Sequence, residues 1–380
     1  MTHDAVAYVL ADYGAAPKRE GRPTPSPGPG EILVRVRACG VCATDVKAFS
    51  GALPEISLGR VLGHEIAGVV AQTGHGVAGI EVGTRVCLYG RDPCKRCAYC
   101  VRGSENICAH QGPRLGFERD GGFADYVLAP ADSAYPIGGL SFEAGAILTD
   151  AVATAVHAVM DRGKVNENDS VLVISAGGVG IHVSQIAHAR GATVVVADPN
   201  TERLAVANEL GLATWELTKQ GNEWDALVKK HEPRAIFDCF GMPDPSDLIN
   251  ALPMDSRIIA VGYYPDNFLR VPQMTLVRKE LTLVGARAQT PLNLAEAIRL
   301  VQDGLVVPII DDVRPMTEIS EALIATADHA GRGRKILVNQ PLLITAVVLR
   351  RDICVHAHGK GRRTPRVCAD NVADNTRFVQ

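Results

Sequence analysis

Short apolar strands alternate with amphipathic helices between residues 171 and 287, and this alternation restricts the fold more than any other feature of the chain. Helices are predicted at 180–191 and 201–211, and strands at 171–177, 193–199, 235–241, 257–264 and 281–287. Strands that are connected through helices form a right-handed parallel sheet with the helices packed on it. The sequence therefore predicts an α/β fold in which residues 151–288 form a doubly wound parallel sheet.

Residues 1–150 show a different pattern, which is rich in glycine and proline. Runs of β-branched residues at 31–40, 65–74 and 84–90 are separated by turn signals. This spacing predicts a small antiparallel β unit or barrel. A helix is predicted to follow and to end at Gly163. Helices at 293–304 and 320–331 and a closing strand at 334–338 come after the parallel sheet.

The last forty residues, 341–380, do not continue this order of elements. They are rich in arginine and show little periodicity, which predicts an atypical, disordered C-terminal tail. An extension that binds nucleic acid is the alternative.

The composition excludes several classes of partner. Of the 380 residues, 47% are apolar and 21% are charged, and the formal net charge is −3. This balance creates no field that would attract nucleic acid or an acidic membrane. The N-terminus MTHDAVAYVL lacks the pattern of a secretion signal, and the apolar runs at 171–175 and 342–349 are too short to span a bilayer. We therefore expect a cytoplasmic protein with reduced thiols and with no nucleic-acid or membrane partner.

Four cysteines with the spacing C-x2-C-x2-C-x7-C lie close together in the chain: Cys94, Cys97, Cys100 and Cys108. Zinc binds four thiolates tetrahedrally, and two-residue spacers let neighbouring sulfurs converge on one ion. The residues between the cysteines are polar or amphipathic, so this segment is predicted to form a surface lobe around a structural zinc ion. An iron–sulfur cluster and four unrelated buried thiols are the alternatives.

A glycine-rich turn lies between the first strand of the predicted parallel sheet and the next helix. It contains Gly177, Gly178 and Gly180, with Ser175 where the motif G-x-G-x-x-G has its first glycine. Glycines let a pyrophosphate approach the backbone, and the helix N-terminus supplies N–H donors. Asp198 ends the next strand, twenty-one residues after Gly177, where a carboxylate binds ribose hydroxyls and repels a 2′-phosphate. The pattern predicts NAD(H) rather than NADP(H); a structural turn with a surface aspartate is the alternative.

Two residues, Cys42 in CGVCATD and His64 in GHE, are candidate ligands for a second zinc ion. A catalytic zinc site needs a third protein ligand and an open fourth position. Asp150 is the first candidate, because it lies in an otherwise apolar helical stretch where an unpaired carboxylate would be costly. Glu65, which follows His64, is the competing candidate.

The order of GHE, the four cysteines, GGVG and an acidic strand end resembles that of the zinc-dependent medium-chain alcohol dehydrogenases, over about residues 5–338. The resemblance implies a GroES-like β-barrel catalytic domain of residues 1–150, completed by 289–340, and a Rossmann NAD-binding domain of residues 151–288. It also implies that Cys42, His64 and a third ligand, here Asp150, hold the catalytic zinc. In TDAVATAVHAV the aspartate is similar to that of the secondary- and cyclic-alcohol branches.

The same resemblance implies further site residues. Glu65 matches a glutamate that approaches the metal during ligand exchange, and Asp45 matches a carboxylate that orients the histidine ligand. Thr44 matches a hydroxyl that passes the alcohol proton outward, with Lys47 or water at the outer end of this relay. Capping of a helix that begins at Asp45 is the alternative role for Thr44. The predicted cofactor site consists of Ser175, Gly177, Gly178, Val179, Gly180, Asp198, Arg203 and Arg334, of which Arg334 matches an arginine that pairs with the pyrophosphate.

The predicted function is the interconversion of a primary or secondary alcohol with its aldehyde or ketone. Zinc lowers the pKa of the alcohol, and hydride moves to the nicotinamide. We expect Zn²⁺ at two sites per chain and NAD(H) as cofactors, a small-molecule substrate, and a homodimer or homotetramer. A polyol or cyclic hydroxyacyl-CoA dehydrogenase and a zinc-free quinone or enoyl reductase are alternatives within the family. An NAD-binding regulatory protein is the alternative without catalysis.

Overall fold

Two large sheets organise the residues that the computed structural model describes, which are 4–53, 55–218, 223–264 and 268–339. The tail predicted for residues 341–380 lies outside this described part of the chain.

The first large sheet has seven strands and is mostly antiparallel. The N-terminal strands β1 (Asp4–Val9) and β2 (Lys18–Pro23) pair with each other in a separate sheet. The seven strands are β3 (Glu31–Val41), β4 (Glu65–Thr73), β5 (Arg85–Leu88), β6 (Tyr126–Pro130), β7 (Ala134–Pro136), β14 (Ile310–Pro315) and β15 (Arg334–Val338). They are arranged as β14-β15-β3-β4-β5-β7, with β6 also paired to β3. The predicted antiparallel β unit is thus confirmed, and β14 and β15 join it from the far end of the chain.

The second large sheet has six parallel strands. They are β8 (Ser170–Ile174), β9 (Thr193–Asp198), β10 (Ala213–Glu216), β11 (Ala235–Asp238), β12 (Arg257–Ala260) and β13 (Thr282–Gly285). Their order is β10-β9-β8-β11-β12-β13, so the direction of winding reverses between β8 and β11. A crevice forms at the carboxyl ends of the strands at such a reversal. The predicted parallel sheet is confirmed.

Eleven α-helices surround the two sheets in the described part of the chain. They are α1 (Ala43–Phe49), α2 (Ala98–Val101), α3 (Phe142–Ile147), α4 (Ala153–Val156), α5 (Gly180–Ala189), α6 (Thr201–Glu209), α7 (Glu223–His231), α8 (Ser246–Ala251), α9 (Gln273–Arg278), α10 (Pro291–Gln302) and α11 (Ile319–Ala327). The sequence patterns did not predict α7, α8, α9, β10 or β14. Helices α8 and α9 and strands β10 and β14 are only four to six residues long, and α9 buries none of its side chains, so they offer little apolar periodicity. Helix α7 is longer and buries Leu227 and Val228, so its pattern was present in the sequence but was missed.

A continuous helix from Phe142 to Arg162 connects the two sheets. It consists of α3, a π-helical segment (Leu148–Val152), α4 and a second π-helical segment (His157–Arg162). Ser141 caps its start by accepting a hydrogen bond from the amide of Ala144 at 3.1 Å. We call it the central helix. It packs on β3 and β4 at one end and on α5 and α10 further along.

The length and composition of the central helix would also allow it to cross a membrane. This helix is not among the short apolar runs that the sequence analysis considered. Within this structure 78% of its most apolar window is buried. Burial of this kind is typical of a core helix, whose apolar side chains pack against other parts of the same chain.

Candidate active site

A cleft of about 1690 Å³ lies between the seven-stranded sheet and the carboxyl ends of the parallel strands. Its lining includes Cys42, His64 and Asp150 at one end, which we call the metal end. The glycine turn and Asp198 line the other end, which we call the cofactor end. The structure therefore brings the residues of the predicted zinc and dinucleotide sites into one cavity.

Three different elements bring the candidate ligands of the metal end together. Cys42 follows β3 directly, His64 precedes β4, and Asp150 lies in the first π-helical segment of the central helix. The Asp150 Oδ2 atom lies 3.5 Å from Cys42 Sγ and 3.6 Å from His64 Nε2. One ligand atom from each of these residues and from Glu65 lies within 4.8 Å of all the others. Thiolate, imidazole and carboxylate are the donors that zinc prefers, so this group fits the ion.

Asp45 holds both the cysteine and the histidine in place. Its Oδ2 atom accepts a hydrogen bond from the Cys42 amide at 2.8 Å, in the first turn of α1. Its Oδ1 atom lies 3.2 Å from His64 Nδ1. With Nδ1–H donating to the Asp45 carboxylate, Nε2 faces Asp150 and is the ring nitrogen that a metal would bind in place of a proton.

Charge is concentrated around His64. Burial lowers the pKa of the His64 imidazole, but Asp45 and Asp150 outweigh burial and raise this pKa well above its usual value. Burial acts to raise the pKa of Asp150, yet the hydrogen bond with His64 and the charges of His64 and Arg334 lower it overall. A donor set with this much negative charge favours a divalent cation.

Glu65 and Arg334 form a buried ion pair behind the candidate ligands. The Glu65 carboxylate is fully buried, and its Oε1 atom lies 2.8 Å from Arg334 Nη2. Arg334 Nη2 also lies 3.7 Å from Asp150 Oδ2. Burial raises the pKa of Glu65, and Arg334 opposes this rise. Glu65 is thus held by Arg334, whereas Asp150 lies directly beside Cys42 and His64.

The four-cysteine segment folds into one cluster. Cys97 Sγ lies 3.6 Å from Cys100 Sγ and 3.8 Å from Cys108 Sγ, and Cys94 Sγ lies 4.0 Å from Cys100 Sγ. In a tetrahedral site with Zn–S bonds of about 2.3 Å, the sulfurs are about 3.8 Å apart. Hydrogen bonds from backbone amides lower the pKa of Cys94 and bring that of Cys97 to about 6, which favours these two thiolates, whereas burial raises the pKa of Cys100 to about 12. The cluster fits a structural zinc ion.

The glycine turn has the shape that a bound pyrophosphate requires. A Cβ atom on Gly180 would lie 1.8 Å from the Ser175 carbonyl oxygen, and one on Gly178 would lie 3.0 Å from the Arg334 guanidinium. Ser175 itself adopts φ of 79°, in the region that favours glycine. The turn leads into α5, and Val179 and Gly180 at the start of this helix line the cleft. This arrangement suits a phosphate group of a dinucleotide.

Asp198 lies at the end of β9 and is 2% exposed. Its two oxygens accept hydrogen bonds from the amides of Ala176 and Asn200, at 2.7 and 2.8 Å. Arg203 lies beside it, with Nη1 at 3.9 Å from Asp198 Oδ2, and donates to the carbonyl oxygens of His329 and Gly331. Both side chains line the cofactor end of the cleft.

Thr44 and Lys47 both lie on α1 and line the cleft. The helix begins at Ala43, with Cys42 as its N-cap residue. The alternative in which Thr44 caps a helix starting at Asp45 is therefore wrong, and the Thr44 hydroxyl lies 3.7 Å from Cys42 Sγ. Lys47 Nζ donates to the Tyr263 carbonyl oxygen at 2.6 Å, and burial lowers its pKa.

Several cleft residues were missed by the sequence analysis. The Thr154 hydroxyl donates to Asp150 Oδ1 at 2.8 Å, and the Phe117 ring lies 5.1 Å from the His64 ring. Arg114, Tyr263 and Arg287 also line the cleft. Thr154 could have been found from its spacing, because residues i and i+4 share a helix face. The others lie in loops, where no periodicity indicates a neighbour.

Two family models match this chain. Residues 28–139 match the alcohol dehydrogenase GroES-like domain, and residues 178–303 match the zinc-binding dehydrogenase model. L-Galactonate-5-dehydrogenase of Escherichia coli K12 is 31% identical over 289 residues, which cover 74% of this chain and 83% of that relative. The chain belongs to the zinc-dependent medium-chain alcohol dehydrogenases.

Two further comparisons agree with this family. An alcohol dehydrogenase of Geobacillus stearothermophilus is 30% identical over 322 residues, which cover 81% of this chain and 92% of that relative. The solved structure of an alcohol dehydrogenase from Escherichia coli CFT073 in complex with NADH matches with a TM-score of 0.81 and 26% identity, covering 89% of this chain and all of that one.

These findings confirm the predicted fold class, activity and cofactors. The protein combines a GroES-like β unit with a Rossmann-like parallel sheet. It is an alcohol dehydrogenase that transfers hydride between an alcohol and NAD. Zn²⁺ and NAD(H) are its cofactors.

Proposed function

We propose that this dehydrogenase oxidises a secondary alcohol, of the polyol type, at a zinc ion held by Cys42, His64 and Asp150. One observation carries the proposal: these three ligand atoms lie together at one end of a cleft whose other end is the glycine turn. The 31% identical relative is named L-galactonate-5-dehydrogenase, and the hydroxyl group on carbon 5 of L-galactonate is a secondary alcohol. The polar lining of the metal end suits a substrate with several hydroxyl groups.

The residues around the ligands have distinct roles in this proposal. A zinc ion bound here supplies Lewis-acid chemistry that makes the alcohol proton more acidic. The Thr44 hydroxyl accepts that proton while it releases its own proton outward. Lys47, whose pKa burial lowers, or water receives the released proton.

The cofactor end positions the nicotinamide dinucleotide. The α5 N-terminus and the glycine turn bind the pyrophosphate, and Asp198 binds the adenosine ribose. Arg334 contacts both ends, since its guanidinium adjoins Gly178 and lies beside Glu65 and Asp150. A positive charge at this point assists binding of the pyrophosphate and offsets the carboxylates.

Replacing Asp150 tests the assignment of the third ligand. We expect D150A to lower kcat/KM about 100-fold or more and to lower the zinc content from about two ions per chain to about one. Elemental analysis and NADH formation with an alcohol panel measure both effects. D132N, at an exposed carboxylate outside the cleft, is the matched control.

Two outcomes would contradict the assignment. Unchanged zinc content and rate in D150A would remove Asp150 from the site. Loss of the second zinc ion in E65Q but not in D150A would make Glu65 the third ligand.

We propose the predicted domain division on the basis of the two sheets. Residues 1–150 and 289–340 would form the GroES-like catalytic domain, and residues 151–288 would form the Rossmann domain. Strands β14 and β15 support this division, because they join the sheet of the first domain.

We also propose a cytoplasmic location, in which the four-cysteine cluster stays reduced and binds metal.

We propose that the protein is a homo-oligomer built through β13. This strand is an edge of the six-stranded sheet, and Leu283 on it is exposed. Edge strands pair readily with a second copy, since their backbone groups have no neighbour on one side. L283K should shift the oligomer toward monomer by placing like charges opposite each other across the symmetry axis. Light scattering after size-exclusion chromatography measures this; an unchanged mass would place the interface elsewhere.

A further inference from the structure

Three arginines lie around the metal end of the cleft: Arg91, Arg114 and Arg287. Arg91 comes just after β5 and Arg287 just after β13, while Arg114 lies in the loop beyond the four cysteines. The Arg114 guanidinium lies 4.4 Å from the centre of the Phe117 ring, and that ring lies 5.1 Å from the His64 ring. The negative charge of Asp150 acts to raise the pKa of Arg91. The arginines are thus close to the candidate metal ligands.

The charges of two of these arginines are not compensated. Arg114 is paired with Glu118, whose oxygens lie 3.0 and 3.1 Å from Arg114 Nε. Arg91 and Arg287 have no carboxylate partner among the residues that the structure describes. Arg91 makes two long hydrogen bonds to neutral acceptors, the Asn106 carbonyl oxygen at 3.4 Å and Gln111 Oε1 at 3.5 Å.

Arg91 lies among groups of both signs. Burial lowers the pKa of Arg91, Tyr89 and Asp150 act to raise it, and the positive charges of Arg287 and Arg114 lower it. Glu55 is the other carboxylate that lines the metal end beside Asp150, and it is exposed. An anion between Arg91 and Arg287 would relieve the repulsion between them and satisfy their free N–H groups.

One residue of the four-cysteine lobe contacts both arginines. Asn106 lies in a 3-10 turn (Glu105–Ile107) just before Cys108 and is 4% exposed. Its Nδ2 atom donates to the backbone carbonyl oxygen of Arg287 at 2.7 Å and to His157 Nε2 at 3.2 Å. The backbone carbonyl oxygen of Asn106 accepts from the Arg91 guanidinium at 3.4 Å. Asn106 therefore holds the backbone at Arg287 and one N–H group of Arg91, while the Arg287 side chain is exposed at the rim of the cleft.

We propose that Arg91 and Arg287 bind an anionic group, a carboxylate or a phosphate, on the alcohol substrate, and that Arg114 adds to the attractive field. This inference rests on the proposed function, because it names the substrate class of the same site. A second cavity of about 450 Å³ shares Arg114 and Arg287 with the cleft and offers room for the anionic end. Planar guanidinium groups suit both anions, since each can donate two parallel hydrogen bonds.

Matched substrates test the inference. The parent enzyme is assayed with a hexitol, the corresponding hexonate and the corresponding hexitol phosphate, which share one carbon skeleton. We expect kcat/KM for at least one of the two anions to exceed that for the hexitol about 10-fold or more, and to fall as ionic strength rises. The preferred anion identifies the group that is bound. Equal values for all three substrates would overturn the inference.

Variants show whether these arginines cause the preference. R91Q and R287Q should raise KM and lower kcat/KM for the preferred anion about 10- to 100-fold, while the hexitol changes less than about twofold. R102Q is the matched control. Arg102 is an exposed residue of the four-cysteine lobe and lines neither of the two cavities. Zinc analysis and circular dichroism verify that each variant is folded. An anion preference that persists in R91Q and R287Q would exclude these side chains as its source.

A binding measurement separates failure of this inference from failure of the proposed function. Succinate and inorganic phosphate carry no alcohol, and calorimetry measures their binding to the enzyme–NADH complex. Binding of at least one probe that weakens about 10-fold or more in R91Q supports the inference even if no hexose derivative is oxidised, in which case only the proposed function fails. Absence of binding for both probes, or equal binding in parent and variant, would overturn the inference.

Discussion

At Asp198 a single carboxylate combines two tasks. Its oxygens accept hydrogen bonds from Ala176 and Asn200, which join the glycine turn to the end of β9. The same carboxylate lines the cofactor end of the cleft. Its negative charge keeps Arg203 close, at 3.9 Å, and opposes a phosphate on the ribose.

Removing this carboxylate should change the choice of cofactor. We expect D198A to weaken NADH binding about 10-fold and to strengthen NADPH binding, because Arg203 is then free to contact a 2′-phosphate. Fluorescence titration with both cofactors measures the change. The double variant D198A/R203A should lose the gain for NADPH. Equal use of NAD⁺ and NADP⁺ by the parent enzyme would contradict this account.

At the scale of single elements, α5 connects the glycine turn to the residue that precedes β14. His182 on α5 is fully buried; its Nδ1 atom donates to the Gly178 carbonyl oxygen at 2.7 Å, and Nε2 accepts from the Ile309 amide at 3.1 Å. The second bond requires a neutral imidazole, because Nε2 can accept a hydrogen bond only when it carries no proton. Burial lowers the pKa of His182 to about 4, and the charge of Arg334 contributes in the same direction.

This histidine should make the stability depend on pH. The folded-state pKa of about 4 lies below the unfolded value of 6.5, so the unfolded chain binds the extra proton between these values. The contribution of neutral His182 is therefore complete above about pH 6.5 and is lost as the pH falls toward 4. It amounts to about 3 kcal/mol at most.

Urea unfolding at a series of pH values tests this prediction. H182Q should be less stable at pH 7 than the parent and should lose less stability between pH 6.5 and 4. H75Q, at an exposed histidine, is the control. Identical slopes for parent and H182Q would show that the pH dependence has another origin.

At the scale of the whole molecule, the four-cysteine lobe supports the cleft from a distance. Asn106 connects the lobe to Arg287 and to His157 on the central helix. The His157 Nδ1 atom donates in turn to Asp161, which also accepts from Asn293 on α10. A metal ion in the lobe therefore orders residues that lie well outside the lobe.

Breaking the cluster should affect both stability and substrate binding. We expect C97S to lower the zinc content by about one ion per chain and the Tm by about 5–10 °C, because bound metal stabilises only the folded lobe. KM should rise as well, since Asn106 no longer holds the arginines. Elemental analysis, calorimetry and kinetics measure these effects, with K95Q as the control within the lobe. Loss of zinc without any change in KM would separate the lobe from the cleft.

Much of this protein was predictable from local patterns. The four cysteines lie within 15 residues, so their spacing alone predicts one metal cluster. The alternation of strands and helices predicts the parallel sheet, and the glycine turn could be identified although Ser175 replaces a glycine. In the structure Ser175 adopts the positive φ that the missing glycine would take.

Other features depend on tertiary structure. Cys42, His64 and Asp150 are far apart in sequence, and only the packing of β3, β4 and the central helix brings Cys42 and His64 within 3.6 Å of Asp150. The sequence offered Asp150 as the first candidate ligand and Glu65 as its competitor; the fold pairs Glu65 with Arg334 and leaves Asp150 beside the other two.

The sequence by itself thus determined the fold class, the four-cysteine cluster and the dinucleotide turn, because each depends on residues that are neighbours in the chain. Tertiary structure alone decided that Glu65 pairs with Arg334 and that Arg91 and Arg287 line the same cleft. The physical reason is that a charge or a ligand atom acts over a few ångströms of space, while the chain places such atoms together only after both sheets have packed on the central helix.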